Sequence, residues 1–429
     1  MLDSSSSSFM SSNTTSTSTT TSAMIKLPSR CPDSFFDDAF FNTKWDEFNS
    51  YIYDPTQFVR IFHQMIKNKQ FDQLKRLRVL IQNQTISICR KQSYAYMRCR
   101  TVGEGMTSSQ ESEVNEDKRS DTIELNPIDE EEREYEIISL RKDLLESASI
   151  QSKFYKNESL VVSNNGNASE SSLTKVMVFN GDCLDVAFYI QDELIKEGKF
   201  PQERVAVLNM ANPNTPGGGY KGGCGAQEEN LHRRSNLYMC LDNHVDKIDK
   251  SRTWNYPIGY ESGVYSPNVT IFRGCEAKGY PLLKTPRLVD IITAAAVPFA
   301  RSTVRGVDPR NYGTIEAILK IAIQHGVRNL VLSAFGCGAF RNDPVKIAEI
   351  FKEKMESNEF KNCFDRIYFA IIEDHNSRKQ HNPEGNIKPF ADTFAEYIER
   401  SDSHSFLESQ LDYDYDNMND IYECTYKNM

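Results

Sequence analysis

The chain is poor in the features that would assign it quickly to a large functional class. It has ten cysteines but no CxxC pair, and no Cys/His cluster has the spacing of zinc ligands. Cys224, Cys240, Cys337 and Cys363 lie inside periodic or glycine-rich segments. They read as reduced thiols of an intracellular protein rather than as a disulfide framework. Basic residues are in deficit, with 50 Lys and Arg against 60 Asp and Glu and a net charge of −10. This argues against the general electrostatic footprint of a nucleic-acid binder. No sequence-specific nucleic-acid partner is expected, and an anionic ligand must be met by local backbone donors. No apolar run approaches the length of a membrane helix, so no membrane partner is expected. The N-terminus shows no basic region followed by an apolar stretch, which supports cytosol and/or nucleus without choosing between them. Hydrophobic content is 39%, low for a chain of 429 residues that is globular throughout.

Polar segments account for that deficit. Residues 1–33 include "SSSSSFMSSNTTSTSTTTS", which carries too little apolar surface to offset the entropy of ordering. They read as a disordered tail. Residues 34–174 read as a helical N-terminal extension, in which Phe58, Ile61, Phe62 and Ile66 recur at helical spacing. Packing against the main domain is the simpler role for them; a partner-binding or gating bundle is the alternative. The extension is interrupted by an acidic linker, 103–134, and residues 401–429 form a second polar, acidic tail.

Residues 175–400 have a different pattern. "KVMVFN", "RVAVLNMA", "RLVDIITAAA", "NLVLSAF" and "RIYFAII" are short β-branched, apolar runs that suit strands buried on both faces. "LDVAFYIQDELIKEG", "GTIEAILKIAIQHG" and "DPVKIAEIFKEKME" are helical and alternate with them. Alternation of this kind implies an α/β sandwich with a largely parallel sheet, whose ligands bind outside the carboxyl ends of the strands.

The segment after "RVAVLNMA" is "NPNTPGGGYKGGCGAQEEN". Gly217, Gly219 and Gly222 satisfy GxGxxG, but the context is wrong for a dinucleotide fold. There the first glycine turns directly out of the strand, with an acid about 20 residues on. Here "NPNTP" intervenes, two prolines hold the lead-in extended, and the acid near that distance, Asp242, follows a helical segment. No Gly-Lys-Ser/Thr follows, which excludes a Walker loop. Glycines that let backbone N–H groups approach an anion, followed by a helix N-terminus, form an anion-binding wall. "QEENLHRRSNLYMCL" fits one helix with Leu231, Tyr238 and Leu241 on one face. Glu228 and Glu229 fall in its first turn, where they could do no more than cap it. A second loop, "GCGAFRNDPV", follows "NLVLSAF", with Asp343 as N-cap and Pro344 at the first helical position. Phe340 either packs under this loop or stacks on a ligand. Two such loops after separate strands could clamp a diphosphate between them.

Gly217-Gly218-Gly219, seven residues (220–226), then Gln227-Glu228-Glu229 resemble the signature of the microbial-type poly(ADP-ribose) glycohydrolases. "FNGDCLDVA", "VAVLNMANPNTPGGG", "VYSPNVTIFRG" and "FGCGAFRNDP" follow in that family's order. The resemblance covers roughly residues 75 to 400. It implies a macrodomain-like three-layer α/β/α sandwich with a mixed, largely parallel sheet as the catalytic domain, 175–400. It also implies hydrolysis of the ribose–ribose O-glycosidic bond, with Glu229 as catalytic residue and Glu228 holding ribose hydroxyls. Gln227 completes the motif and would be among the substrate-binding residues. Gly217, Gly218 and Gly219, with the loop Gly336, Cys337, Gly338, Ala339 and Phe340, would bind the diphosphate. Asn212 would lie near the distal ribose and Asp182 would recognise adenine. Phe390, or else Phe394, would stack on the adenine. Neither a cofactor nor a metal is called for, and the partner would be ADP-ribose polymer or an ADP-ribosylated protein, met by a monomer.

Two departures stand out: "IITAAAVPF" replaces the family's usual wall near Ala295, and Gly222, Gly223 and Gly225 make the spacer unusually glycine-rich. Neighbouring helical residues diverge by about 100°, so Glu228 and Glu229 cannot flank one bond as in most glycosidases. One must move the proton while the other positions the sugar. Burial and the Glu228 charge would raise the Glu229 pKa, and the helix N-terminus would lower it. Other acceptors for the ADP-ribose, or binding without chemistry, stay open at this level.

Overall fold

The computed structural model describes residues 29–97, 135–162, 174–246, 256–299, 305–374 and 376–399. The acidic linker, the tail from 401 and most of the Ser/Thr-rich tail lie outside the described residues. Strands β1 (Ser93–Met97) and β2 (Tyr135–Ser139) form a separate antiparallel pair. The main sheet contains β3 (Lys153–Lys156), β4 (Lys175–Asn180), β5 (Val205–Met210), β6 (Ser262–Arg273), β7 (Leu282–Ala294), β8 (Asn329–Leu332) and β9 (Arg366–Ile371). Its order is β3-β6-β7-β5-β8-β9-β4. The five strands read from apolar runs all form, and β4, β9, β8, β5 and β7 pair in parallel. β6 runs antiparallel to β7 and β3, which makes the sheet mixed.

Alternation along β5 shows how the sheet is held. Ala206 and Leu208 enter one core, with helices Arg310–Gln324, Pro344–Glu356 and Ile387–Thr393. Val205 and Val207 enter the other, with helices Cys183–Lys196 and Gln227–Arg234. Both faces are covered, and each fully buried aliphatic side chain contributes about 1.5–3 kcal/mol. The parallel strands deliver their carboxyl ends to one edge, so the segments after β4, β5, β8 and β9 converge there.

Three features of the fold go beyond the sequence reading or differ from it. β6 contains Pro267, yet continues through a register shift between Ser266 and Val269, with Asn268 at φ 50°. A bulge of this kind accommodates a proline that cannot donate to the ladder. The single helix expected over "QEENLHRRSNLYMCL" is two, Gln227–Arg234 and Leu237–Leu241. Ser235 is extended between them, bridges to Ile271, and turns its hydroxyl onto Leu231 O and Leu237 N. The N-terminal segment is not purely helical, because β3 is an edge strand of the main sheet. Its helices Pro55–Lys67 and Phe71–Lys91 bury an aromatic cluster of Phe35, Phe36, Phe41, Phe48 and Phe58 that reaches Tyr280 on the β6–β7 connection. Packing onto the main body is thus the observed role of this segment. Among the described residues no helix is long and apolar enough to cross a membrane.

Candidate active site

At the carboxyl edge of the sheet lies a cavity of about 380 Å³, within the range of small-molecule sites. It brings together Asp182, Asn212, Gly218, Gly219, Gln227, Glu228, Glu229, Gly336, Gly338, Ala339 and Phe340 from three different strand ends.

The two glutamates do not cap their own helix, whose start has no side-chain cap bond. They reach into the glycine loop instead. Glu228 Oε2 accepts from Asn212 N at 2.7 Å and Oε1 from Gly217 N at 3.0 Å. Glu229 Oε1 accepts from Gly219 N at 2.9 Å, while Glu229 Oε2 is buried without a partner. A buried carboxylate oxygen lacking a donor is costly unless a ligand or reacting group meets it. Burial pushes the Glu228 carboxyl up to about 8, the two backbone N–H bonds oppose this, and the Glu229 charge adds to it.

Gly217 and Gly218 have φ of 72° and 56°, which glycine adopts without a Cβ penalty. Gly218 also has no room for a side chain, since a Cβ there would lie 2.6 Å from Glu229 Oε1. His232 supports the loop from below. Its Nδ1 donates to Glu228 O at 2.9 Å, and its ring packs on Tyr220 at 4.9 Å. Desolvation holds its pKa down at about 4.

The two loops therefore divide the work differently from a pair of equivalent phosphate cradles. In the first, Gly217 and Gly219 give their N–H groups to the glutamates and Gly218 gives its own to Thr215 O. In the second, the N–H groups of Gly336, Gly338, Ala339 and Phe340 have no partner within the described protein. Open anion donors thus belong to the second loop. That loop is braced by Asn342, whose Nδ2 donates to Val297 O and Gly336 O and whose Oδ1 accepts from Asn311 Nδ2 at 3.1 Å. His381 Nε2 donates to Cys337 O at 2.8 Å. The Cys337 side chain is fully buried in the core and does not line the cavity. Phe340 both packs on the core and lines the cavity.

Gln227 is spent on structure, its Oε1 accepting from Met210 N and its Nε2 donating to Leu208 O, so it extends the end of β5. Asn212 Oδ1 accepts from Asn214 N and Thr215 N, which leaves its Nδ2 as the free donor. Asp182 Oδ1 accepts from Leu184 N, Asp185 N and Arg234 Nη1, the last at 2.7 Å.

Phe390 requires a correction. Phe390 and Phe394 are fully buried, pack on Phe369 at 5.0 and 4.9 Å, and do not line the cavity. Both face the core because helix Ile387–Thr393 lies against the sheet. Among the described residues, the exposed large apolar side chain lining the cavity is Ile372. Arg234, Asn311 and Asn342 are absent from the reading of the sequence. Arg233 and Arg234 in a last helical turn look like solvated cations that favour the helix dipole, and only the tertiary fold shows both buried.

Fold and cavity define an α/β protein with a buried carboxylate pair beside the strand ends. Residues 129–274 match the family model "Microbial-type PARG, catalytic domain". The structure of poly(ADP-ribose) glycohydrolase from Thermomonospora curvata is similar, with 25% identity and a TM-score of 0.51, over 74% of this chain and 99% of that one. The enzyme from Deinococcus radiodurans in complex with ADP-ribose matches with 27% identity and a TM-score of 0.45, over 59% of this chain and 98% of that one. No curated protein matches the chain.

Proposed function

We propose that this glycosidase hydrolyses the ribose–ribose O-glycosidic bond of ADP-ribose polymers, releasing ADP-ribose, with Glu229 as the proton donor. The observation that carries this is the buried, unpartnered Oε2 of Glu229, a residue that lines the cavity, while Oε1 is fixed by Gly219. An oxocarbenium-like state needs a proton on the leaving oxygen. Oε2 gives that proton, and the same carboxylate then takes one from the attacking water. Glu228, held by Asn212 and Gly217, stays beside the sugar, and Asn212 Nδ2 reaches a ribose hydroxyl. The open N–H groups of 336–340 receive the diphosphate, which fixes the scissile bond and turns binding into orientation. Asp182 faces the adenine end.

The partner is polymer or an ADP-ribosylated protein. The eight described cysteines are free thiols, which supports a reducing compartment, cytosol or nucleus. The test is product analysis with purified protein on ADP-ribose polymer and on mono-ADP-ribosylated protein. Release of ADP-ribose from polymer is the expected result. Release from the mono-modified protein alone assigns a different acceptor, and ADP-ribose binding without release from either makes the site a reader.

A further inference from the structure

The glycine-rich spacer between the two halves of the motif is shaped by a helix distant in sequence. Gly223 has φ 78°, and a Cβ on it would overlap the carbonyl of Lys75. A Cβ on Gly225 would overlap the guanidinium of Arg78. Both contacts come from helix Phe71–Lys91, which presses directly on the spacer. The same guanidinium holds Glu276 in a fork, Nε to Oε1 at 2.7 Å and Nη2 to Oε2 at 2.9 Å, with both side chains mostly buried. Tyr280 Oη lies within hydrogen-bond reach of Glu276 Oε1 and of Asn230 Oδ1, and accepts from Arg233 Nε at 2.9 Å. Arg233 Nη2 then donates to Cys224 O at 2.7 Å. Further along the helix, Thr85 and Gln82 donate to the carbonyls of Arg233 and His232. The spacer and the helix bearing Glu228 and Glu229 are thus gripped between an N-terminal helix and the β6–β7 connection.

We propose that Arg78 is a positioning residue of the active site. Through Glu276, Tyr280 and Arg233 it fixes the spacer, and so sets where Gly219 and the Glu228–Glu229 pair stand relative to each other. Buried, bidentate guanidinium–carboxylate pairs combine strength with fixed geometry. The two glycines follow from this, because only a residue without Cβ lets the helix come so close. The proposal rests on the reading of Glu229 as the acid.

The test compares Arg78→Met and Gly225→Ala, the second retaining Arg78 but forcing it aside, with Arg90→Ala as a control. Arg90 lies on the same helix and pairs with Asp246 at the surface. Two quantities are measured: amide hydrogen exchange across 219–229, and kcat on polymer alongside the Kd for ADP-ribose. In both test variants, exchange in 219–229 should rise several-fold while β5 and β7 stay protected. A displacement of about 1 Å should lower kcat by about 100-fold, with Kd changed little. Arg90→Ala should match wild type in both. Unchanged exchange in both test variants overturns the clamp. Raised exchange with wild-type kcat overturns the positioning role. If wild type itself releases no ADP-ribose, the glycohydrolase reading fails, and exchange alone then decides the clamp.

Discussion

Gly219 donates its backbone N–H to Oε1 of Glu229 at 2.9 Å, and the second oxygen of that carboxylate is buried with no partner. One oxygen is anchored and the other is left without a donor. In Glu229→Gln the anchored oxygen can still accept from Gly219, so the site keeps its shape, but the free position becomes an amide that cannot deliver a proton. Loss of general acid–base catalysis lowers kcat by about 10²–10⁴-fold. The Kd for ADP-ribose by titration calorimetry should stay within a few-fold. Near-wild-type ADP-ribose release from this variant would rule out Glu229 as the acid.

Gly218 lies where the two carboxylates converge. A Cβ there would stand 2.6 Å from Glu229 Oε1 and 2.9 Å from Glu228 Oε2, at φ 56°. The left-handed backbone alone costs alanine about 1–2 kcal/mol, a modest share of the stability of a domain. Gly218→Ala should therefore stay folded in a thermal melt and lose most of its turnover. Wild-type kcat in a correctly folded Gly218→Ala would show that the glutamates tolerate displacement, contrary to the geometry.

Strand positions were legible because "VAVLNM" and its counterparts are continuous apolar runs between helices, the pattern of a sheet covered on both faces. The glycines and glutamates were legible as a cluster, since 217–229 is continuous in sequence. What was not legible is the direction of the hydrogen bonds. The glycine N–H groups could have served a diphosphate, and it takes the folded turn to show that Glu228 and Glu229 occupy them. Phe390 was misjudged because an apolar residue near a ligand edge carries no mark of which side of its helix meets the core. Arg78 and Asn342 act across long sequence separations, and a local pattern cannot show that.

Phe390 is core, so its substitution should change stability and not ligand choice. Truncation of a buried phenylalanine costs about 3–5 kcal/mol, and Phe390→Ala should show that loss in urea unfolding. Phe390→Leu, which keeps most of the volume, should bind ADP-ribose as wild type does. Ile372, exposed on the cavity rim, should behave oppositely: Ile372→Asp weakens ADP-ribose binding with little change in the melt. A weakened Kd in Phe390→Leu would return that ring to the ligand.

Asn342 joins the second loop to the segment around Val297 through two donated bonds and one accepted from Asn311. Asn342→Ala removes these bonds, although Val297 O keeps Asn311 Nδ2 and Gly336 O keeps the residue-342 N–H as donors, so the cost is about 0.5–1.5 kcal/mol per lost bond. Stability should drop, and ADP-ribose affinity should drop further than in Phe390→Leu, because the open N–H groups of 336–340 lose their brace. Affinity measured well below the melting temperature separates the two effects. An unchanged Kd would mean that the loop holds its shape without the amide.

The Glu228 carboxyl gives stability a pH dependence of definite sign. Its pKa rises from 4.5 to about 8 on folding, first through burial and then through the Glu229 charge. A raised folded value means that the folded state holds its proton more tightly than the unfolded chain. The contribution is complete below pH 4.5 and is lost as the pH climbs through about 8. His232 works in the other direction. Desolvation lowers its pKa from 6.5 to about 4, so its contribution is present above pH 6.5 and lost as the pH falls through about 4. Between 4.5 and 6.5 the two oppose each other, and from 6.5 to 8 the Glu228 slope acts without His232. Melting curves of wild type and Glu228→Gln over that upper interval isolate it. The melting temperature of the variant relative to wild type should rise steadily from pH 6.5 to 8, because the amide has no proton to lose. Parallel curves across the interval would show that Glu228 is already ionised at neutral pH, held in that state by the N–H groups of Asn212 and Gly217.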